Sequence, residues 1–527
     1  MRRLPPRLRG APLTPEAGVV AICVLFVAIS AWWLAEDVRM VNTDNAKHLL
    51  ISARWHDTIR AGDWTDVFTE WAQYPFGVHL VGALGIALGG LSVFSMVFVE
   101  NLVFVPLLAL GCYGTARIVF GRTVGLLAVL FAFAAPMVMS MFHVFMLDIP
   151  EAAMVAVTVW LLIASDRFSK WQIAAAAGAV AGLGMYTKGT FVLFIAGIVA
   201  MLFLRGGWRN WKGWLAFGTL FVGIAGPWYL DHLDDLRGQT TGAVGGGPAG
   251  TPSTPLWYDT VHFPEHGSIA NFTWYGWNLV NHQLYLPLTL FALAGAGWAV
   301  WRVVRDRGRD SYLPELLAGC FVGYLGASWI VLKDPRYTLP CLVYLAVIST
   351  AWIVAMPRKP RLLATGVLVG LFVLNTLNHN FGVGGVHTIN TAKTVPSPLG
   401  EYSLKIVNAN GYFEGGPSKS AQPFVDLLDR SYPRGVRSVI VDEESFTGPG
   451  YGIGATTLLV TRTKLALPGF TADLVTSDSD AWIIRVPVAG ARYRPCIASL
   501  VEGDGTGIYL FRGRAPKRPE RVKPDCP

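Results

Sequence analysis

The stretch that decides the fold is MRRLPPRLRGAPLTPEAGVVAICVLFVAISAWWLAEDVRMVNTDN, residues 1–45. Arg2, Arg3, Arg7 and Arg9 precede an apolar run at 18–35, and acidic residues follow it. A helix needs roughly 17–25 apolar residues to cross a bilayer, and this run qualifies. Ala31-Trp32-Trp33 is a poor small-residue cleavage site, so the run is expected to remain as a span rather than leave as a signal peptide.

The pattern recurs along the chain. Apolar runs follow at 97–119, 124–141, 150–165, 171–187, 190–204, 213–229, 286–303, 313–331, 338–355 and 361–378. Basic clusters lie at Arg117/Arg122, Arg167/Lys170, Arg205/Arg209/Lys212, Arg302/Arg305/Arg307/Arg309 and Arg358/Lys359/Arg361. With eleven spans, every cluster falls on one side. Lys and Arg bias sets orientation, so that side is expected to be cytoplasmic. It carries 18 Lys/Arg against only five Asp/Glu: Glu16, Asp166, Asp306, Asp310 and Glu315. Residues 79–94 are apolar but short, and counting them as a span would break this parity; they read as a re-entrant or interfacial helix.

Composition agrees. Charged residues make up 15% of the 527 positions and hydrophobic ones 53%, whereas a soluble domain carries about 25% charged residues. This excludes an ordinary soluble enzyme, a disordered chain and a coiled coil. The net charge of +8 reports orientation and not a nucleic-acid partner. The expected fold is a polytopic α-helical membrane domain over 1–378, with outer loops at 36–96 and 230–285. An extracytoplasmic α/β domain is expected at 379–514 and a disordered basic tail at 515–527. The runs RSVIVDE, ATTLLVTR and DAWIIRV read as strands and Ser420–Ser431 as a helix. Cys496 and Cys526 either pair or remain free, and no CxxC is present.

A charge at a membrane edge is costly and needs a reason. Asp44, Asp148 with Glu151, Lys188 and the run Lys333-Asp334-Pro335-Arg336 all fall at outer span ends. Their contexts are VNTDNAKHLL (41–50), FHVFMLDIPEAAMVAV (142–157), MYTKGTFVLF (185–194) and VLKDPRYTLPCLVYLAV (331–347). Between the first two lie IRAGDWTDVFTEW (59–71) and AQYPFGVHLVGALG (72–85). In order, spacing and side, these pieces resemble the GT-C glycosyltransferases of family 39, the protein O-mannosyltransferases and aminoarabinose-to-lipid A transferases among them. The resemblance covers about residues 18–378.

The resemblance implies an inverting transfer of a monosaccharide from a polyprenyl-phosphate carrier to a lipid, glycan or protein acceptor outside the cytoplasmic membrane. Asp44 takes the position of the general base, and Asp148 that of the second acidic residue, organising the site or orienting the acceptor. Inversion needs one base within hydrogen-bond reach of the acceptor hydroxyl. The leaving phosphate needs cations, for which Lys188, Arg336 and Lys333 are placed. His48, Glu151, Tyr74 and His79 are candidates for shaping the site. The family's usual Asp-Glu pair is Asp44-Asn45 here. In metal-binding relatives an acidic residue and a histidine serve as ligands, so the missing Glu leaves a divalent metal only a possibility. No other cofactor is implied, and membrane lipids are the remaining partner.

Blander roles stand beside these: a solvated loop acid at Asp44, a helix N-cap at Asp148, a snorkelling Lys188 and an Arg336–Asp334 salt bridge. HFPEH (262–266) spells HxxEH, but Pro264 opposes the helix a zinc protease needs. Asn271-Phe-Thr273 fits a glycosylation sequon that is common by chance. The Gly-rich stretch 237–255 lacks a P-loop lysine and is expected to gate acceptor access. The rival readings are a transporter or flippase, and a non-catalytic cell-envelope scaffold.

Overall fold

A computed structural model describes residues 14–38, 43–70, 74–237, 267–306, 311–330, 333–383 and 416–417, and the strands between 394 and 512. The side chains of residues 43, 44, 46, 47 and 50 and of the C-terminal strands lie outside that description. So do the stretches 237–255 (past Arg237) and HFPEH, the run ATTLLVTR, the helix expected at 420–431, Cys496, Cys526 and the basic tail.

Each of the eleven apolar runs is helical. The first, α1 (Pro15–Glu36), starts where Thr14 accepts a hydrogen bond from the Ala17 N–H. The helix α2 (Thr43–Ala61) follows, then the short α3 (Asp66–Thr69) and α4 (Gly77–Gly89). The longest helix, α5 (Val93–Phe120), is capped by Ser92. The run 124–141 is broken into α6 (Arg122–Ala134) and α7 (Pro136–Met141). Proline forces the residue before it out of the helical region, and Ala135 is extended. Next come α8 (Asp148–Ala164), α9 (Trp171–Met185), α10 (Phe191–Leu204) and α11 (Trp211–Asp231). The last five are α12 (Ile269–Asn278), α13 (Tyr285–Arg305), α14 (Leu313–Trp329), α15 (Leu339–Ala355) and α16 (Arg358–Phe381).

Five helices (α1, α5, α11, α13, α16) are long and apolar enough to cross a membrane by themselves, and shorter apolar helices pack among them. The protein is thus a multi-pass α-helical membrane protein. The segment read as re-entrant is the 13-residue α4, shorter than a span and packed against α2 and α5. Helices α5, α6, α8 and α15 carry the largest shares of the apolar core.

The two expected sets of loops meet at opposite helix ends. At one end, Glu315 is fully buried and pairs with Arg167 at 3.2 Å and Arg205 at 2.5 Å, while Tyr312 donates to Asp166 at 2.6 Å. At the other end lie the starts of α2, α8, α10 and α15.

Among the described residues, seven strands follow the helices. The hairpin β1 (Thr394–Ser397) and β2 (Gly400–Ser403) is antiparallel. A second, fully antiparallel sheet is formed by β3 (Val436–Asp442), β4 (Asp473–Thr476), β5 (Ala481–Arg485), β6 (Ile497–Gly503) and β7 (Thr506–Arg512), in the order β4-β5-β3-β7-β6. Its β3 and β5 are the runs RSVIVDE and DAWIIRV; the other three were not expected.

Helix α5 approaches α8 closely at Gly111, where an added Cβ would stand 2.3 Å from the Ala156 carbonyl carbon. Overpacking of this kind costs about 1–3 kcal/mol. Gly111→Ala should therefore lower the unfolding temperature in detergent, whereas Gly223→Ala, which meets nothing within 4 Å, should leave it unchanged or slightly raised.

Candidate active site

Asp148 opens α8 from position N1; Leu147 is the N-cap, so the expected N-cap role for Asp148 is corrected by one residue. A carboxylate in a helix's first turn is favoured by the helix dipole. This one is also 98% buried, and burying a charge requires partners. Lys188, in the α9–α10 connection, donates to Asp148 Oδ1 at 2.7 Å. Arg336, in the α14–α15 connection, lies with Nε 3.6 Å from Asp148 Oδ2.

Each cation has a second carboxylate. Lys188 Nζ is 4.0 Å from Glu151 Oε2, and Thr190 donates to Glu151 Oε1 at 2.6 Å. Arg336 Nη2 is 3.1 Å from Asp334 Oδ2, and the Arg336 backbone N–H donates to Asp334 Oδ1 at 3.0 Å. The Arg336–Asp334 bridge expected as the bland alternative is present, but Asp148 is added to it. Lys188 does not snorkel. Its amine also sits 4.3 Å from the centre of the Tyr337 ring. Burial alone would depress the Lys188 amine; Asp148 and Glu151 outweigh burial and hold it above the ordinary lysine value. Burial pushes the Tyr337 phenol up.

The loops that carry these groups are pinned from behind. Asn101 on α5 donates to the Phe142 carbonyl and to Ser30 Oγ, both at 2.7 Å. Asn45 on α2 accepts from the Phe145 N–H at 3.1 Å. This puts the first turn of α2, where Asp44 is the second residue, against the loop that leads into Asp148. Asn278 and Gln283 both donate to the Pro335 carbonyl, at 2.8 and 2.5 Å.

Next to α2 the imidazoles of His48 and His79 face each other at 3.1 Å, and the Tyr74 ring stands edge-on to His48 with centroids 4.7 Å apart. Lys333 is placed differently from Arg336. Its amine donates at 2.6 Å to the carbonyls of Ser328 and Ile330, which end α14, and lies 5.1 Å from the Tyr275 ring centre. Burial pushes that amine down to about 7. An apolar cavity of about 230 Å³ adjoins this loop, lined by Tyr275, Gln283, Cys320, Thr338, Cys341 and Ile348 among others. Among the described residues no three His, Cys, Asp or Glu side chains converge as a metal-ligand set, His143 and Glu151 included. Asn271 is fully buried and donates to the Ser328 carbonyl at 2.8 Å, which disfavours its use as a glycosylation site.

The structure thus joins Asp148, Glu151, Lys188 and Arg336, and joins His48, Tyr74 and His79. It adds Asp334, Tyr337 and Thr190, which the sequence reading had not assigned to the site. All three stand inside the quoted motifs, and their adjacency to Arg336 and Lys188 was the available signal.

Fold and site together define a multi-pass membrane protein with a buried ionic cluster where three inter-helix connections meet. Residues 73–229 match the sequence profile of the family described as dolichyl-phosphate-mannose-protein mannosyltransferase. The match bears out the resemblance to GT-C glycosyltransferases of the family 39 type. Among solved structures, ArnT from Cupriavidus metallidurans bound to undecaprenyl phosphate is 18% identical, with a TM-score of 0.49 over 72% of this chain and 67% of that one. The Archaeoglobus fulgidus oligosaccharyltransferase is 14% identical, with a TM-score of 0.40 over 68% and 54%. No curated protein sequence matches significantly.

Two outcomes follow from the cluster. Breaking a buried pair by removing one partner costs about 3–5 kcal/mol. Asp148→Asn should show that loss in detergent unfolding, and Asp148→Asn/Lys188→Met should recover part of it in a double-mutant cycle. For Lys333 the folded amine titrates near 7 and the unfolded one near 10.5. The unfolded chain therefore holds the extra proton between those values, and stability rises with pH across that window. Lys333→Met should stabilise the protein most below pH 7, and its advantage should shrink as the pH is raised toward 10.

Proposed function

We propose that the protein is an inverting glycosyltransferase. It moves a monosaccharide from a polyprenyl-phosphate carrier to an acceptor hydroxyl on the outer face of the cytoplasmic membrane. The observation that carries the reading is the meeting of Lys188 and Arg336 on one buried carboxylate, Asp148. Their cluster lies beside the loop that Asn45 ties to the first turn of α2, the turn that includes Asp44.

The roles divide by chemistry. Asp44 removes the acceptor proton from the side opposite the departing phosphate. Lys188 offers a point charge and Arg336 a planar guanidinium to that phosphate. Asp148 positions both cations, and Glu151 and Asp334 hold them from the far side. Lys333, whose amine donates to the carbonyls at the end of a neighbouring helix, is a third cation for that phosphate. The apolar cavity beside Thr338 suits the first isoprene units of the carrier. The Lys/Arg bias supports an inner N-terminus and an outer C-terminal α/β domain. Acceptors that fit this placement are lipids, glycans and proteins presented outside the cell membrane.

The test uses purified full-length protein and a panel of polyprenyl-phosphate monosaccharides, with release of polyprenyl phosphate as the signal. Asp44→Asn should lower kcat at least about 100-fold, the lower end of what a general base supplies. Its donor KM and unfolding temperature should stay at wild-type values. Undiminished release by the variant would overturn the base assignment, and no release by the wild type from any donor would overturn the reading.

A further inference from the structure

The helix ends opposite the ionic cluster carry positive charge that the fold does not neutralise. At that end Arg117 and Arg122 face Glu16, Arg302 faces Asp306, and Arg167 and Arg205 share Glu315. Lys170, just before α9, and Arg209 and Lys212, around the start of α11, form no ion pair among the described residues, and all three are exposed.

Each of these cations has a tryptophan beside it. The Arg209 guanidinium carbon lies 5.0 Å from the centre of the Trp208 ring, and the Lys212 amine lies 5.8 Å from that of Trp211. Lys170 directly precedes Trp171. Trp171, Trp208 and Trp211 are 50%, 53% and 57% exposed. Indole rings settle at the headgroup level of a bilayer, and a long cationic side chain beside them reaches the lipid phosphates.

The two connections that carry these groups are locked together. Asp166, Arg167 and Phe168 are three consecutive non-glycine residues in the left-handed region, with φ of 51°, 51° and 64°. That conformation is costly away from glycine and persists only where the surroundings over-determine it. Here Asn210 donates to the Arg167 carbonyl at 2.8 Å, and the Tyr312 hydroxyl donates to Asp166 at 2.6 Å. The buried Phe168 ring lies against Gly207, where an added Cβ would stand 2.8 Å from its Cδ2. The Phe168 carbonyl oxygen leaves Gly213 no room for a Cβ. Helices α9 and α11 then run side by side in the same direction, with Gly178 against Phe217 and Gly182 against Ile224. The strained turn thus fixes the 165–170 connection against the 205–210 connection, and with them the three cations and three rings. Beyond the rings, Leu215 and Val222 of α11 remain exposed, as contact with an acyl chain requires.

We infer that this surface is a binding site for an anionic phospholipid. The lipid phosphate sits among Lys170, Arg209 and Lys212, the indoles pack at the level of its glycerol and esters, and its acyl chains follow the exposed face of α11. Charge complementarity commits the site to an anionic headgroup. The three cations meet no protein carboxylate, and a zwitterionic headgroup brings its own cation and gains little from them. The site lies at the opposite helix ends from the proposed transfer and does not depend on that reading. Arg358, Lys359 and Arg361 open α16 at the same end with no tryptophan among them, which makes them a control of equal charge.

The test uses purified full-length protein and native mass spectrometry with phosphatidylglycerol and phosphatidylcholine of the same acyl chains, and follows the unfolding temperature in parallel. A cation beside an anionic lipid surface contributes about fivefold to binding. The wild type should hold phosphatidylglycerol at least about 10-fold more tightly than phosphatidylcholine. Lys170→Gln/Arg209→Gln/Lys212→Gln should lose that preference and keep the lipid-free unfolding temperature. Arg358→Gln/Lys359→Gln/Arg361→Gln removes the same charge and should change the preference by less than about threefold. Trp208→Leu/Trp211→Leu keeps every charge and should weaken phosphatidylglycerol about fivefold, because the rings no longer hold their cations. Equal binding of the two lipids by the wild type would overturn the inference. So would an equal loss in both triple variants, which marks a diffuse charge effect. Inorganic phosphate that raises the unfolding temperature as much as phosphatidylglycerol does would overturn it too, because the acyl chains would then play no part. Should the first triple variant not fold, the wild-type comparison and the tryptophan variant decide.

Discussion

The structure depends on one constraint: a carboxylate buried at the head of α8 must be neutralised there. Asp148 is 2% exposed, and its partners come from connections 40 and 188 residues further along. A buried ion pair is weak support for stability, because desolvation consumes most of what the attraction returns. It is strong support for geometry, because a missing partner leaves an uncompensated charge. The three connections that carry Asp148, Lys188 and Arg336 therefore close together or not at all. Neutral amides then fix each one from behind: Asn101 and Asn45 hold 142–145, and Asn278 with Gln283 holds Pro335.

Hydropathy made the helices legible, since the cost of an unsatisfied backbone in lipid leaves few alternatives to a helix. The eleven apolar runs are helical for that reason, and the one clear boundary error sits at Pro136, where the missing N–H and the bias on Ala135 break a continuous apolar run. Charge at a membrane edge made Asp148, Lys188 and Arg336 legible as a group. Their pairing was not legible, because no local period connects position 148 with 188 or 336. The His48–His79 contact spans 31 residues across two helices and left only two isolated histidines in the sequence. Strands β6 and β7 are weakly apolar in pattern, and their signal in the sequence is the Asp504-Gly505 turn pair between them.

Asn45 shows how a departure from a family pattern can be read physically. The position is fully buried, and its side-chain oxygen accepts from the Phe145 N–H. A glutamate there would bring another negative charge close to the loop that leads into Asp148, where Asp148, Glu151 and Asp334 already outnumber Lys188 and Arg336. The amide makes the same acceptor contact without that charge. Asn45 therefore ties α2 to the α8 loop. Glu100 and Asn101, which interrupt an apolar run in sequence, serve the same loop from α5.

The balance of charge in the cluster also bears on how the proposed transfer would be accelerated. Both cations are already paired, so the site is not an open basic pocket that holds any phosphate tightly. A polyprenyl-phosphate sugar is a diester with one negative charge. The departing polyprenyl phosphate gains a second charge as the bond to the sugar breaks. Groups that meet that new charge more strongly than the standing one lower the barrier, and groups that hold both equally do not. In the proposed transfer Lys188 and Arg336, restrained by Asp148 and its neighbours, would meet the developing charge. On that proposal the carboxylates would do more than compete with the substrate: they would tune the cations toward the transition state.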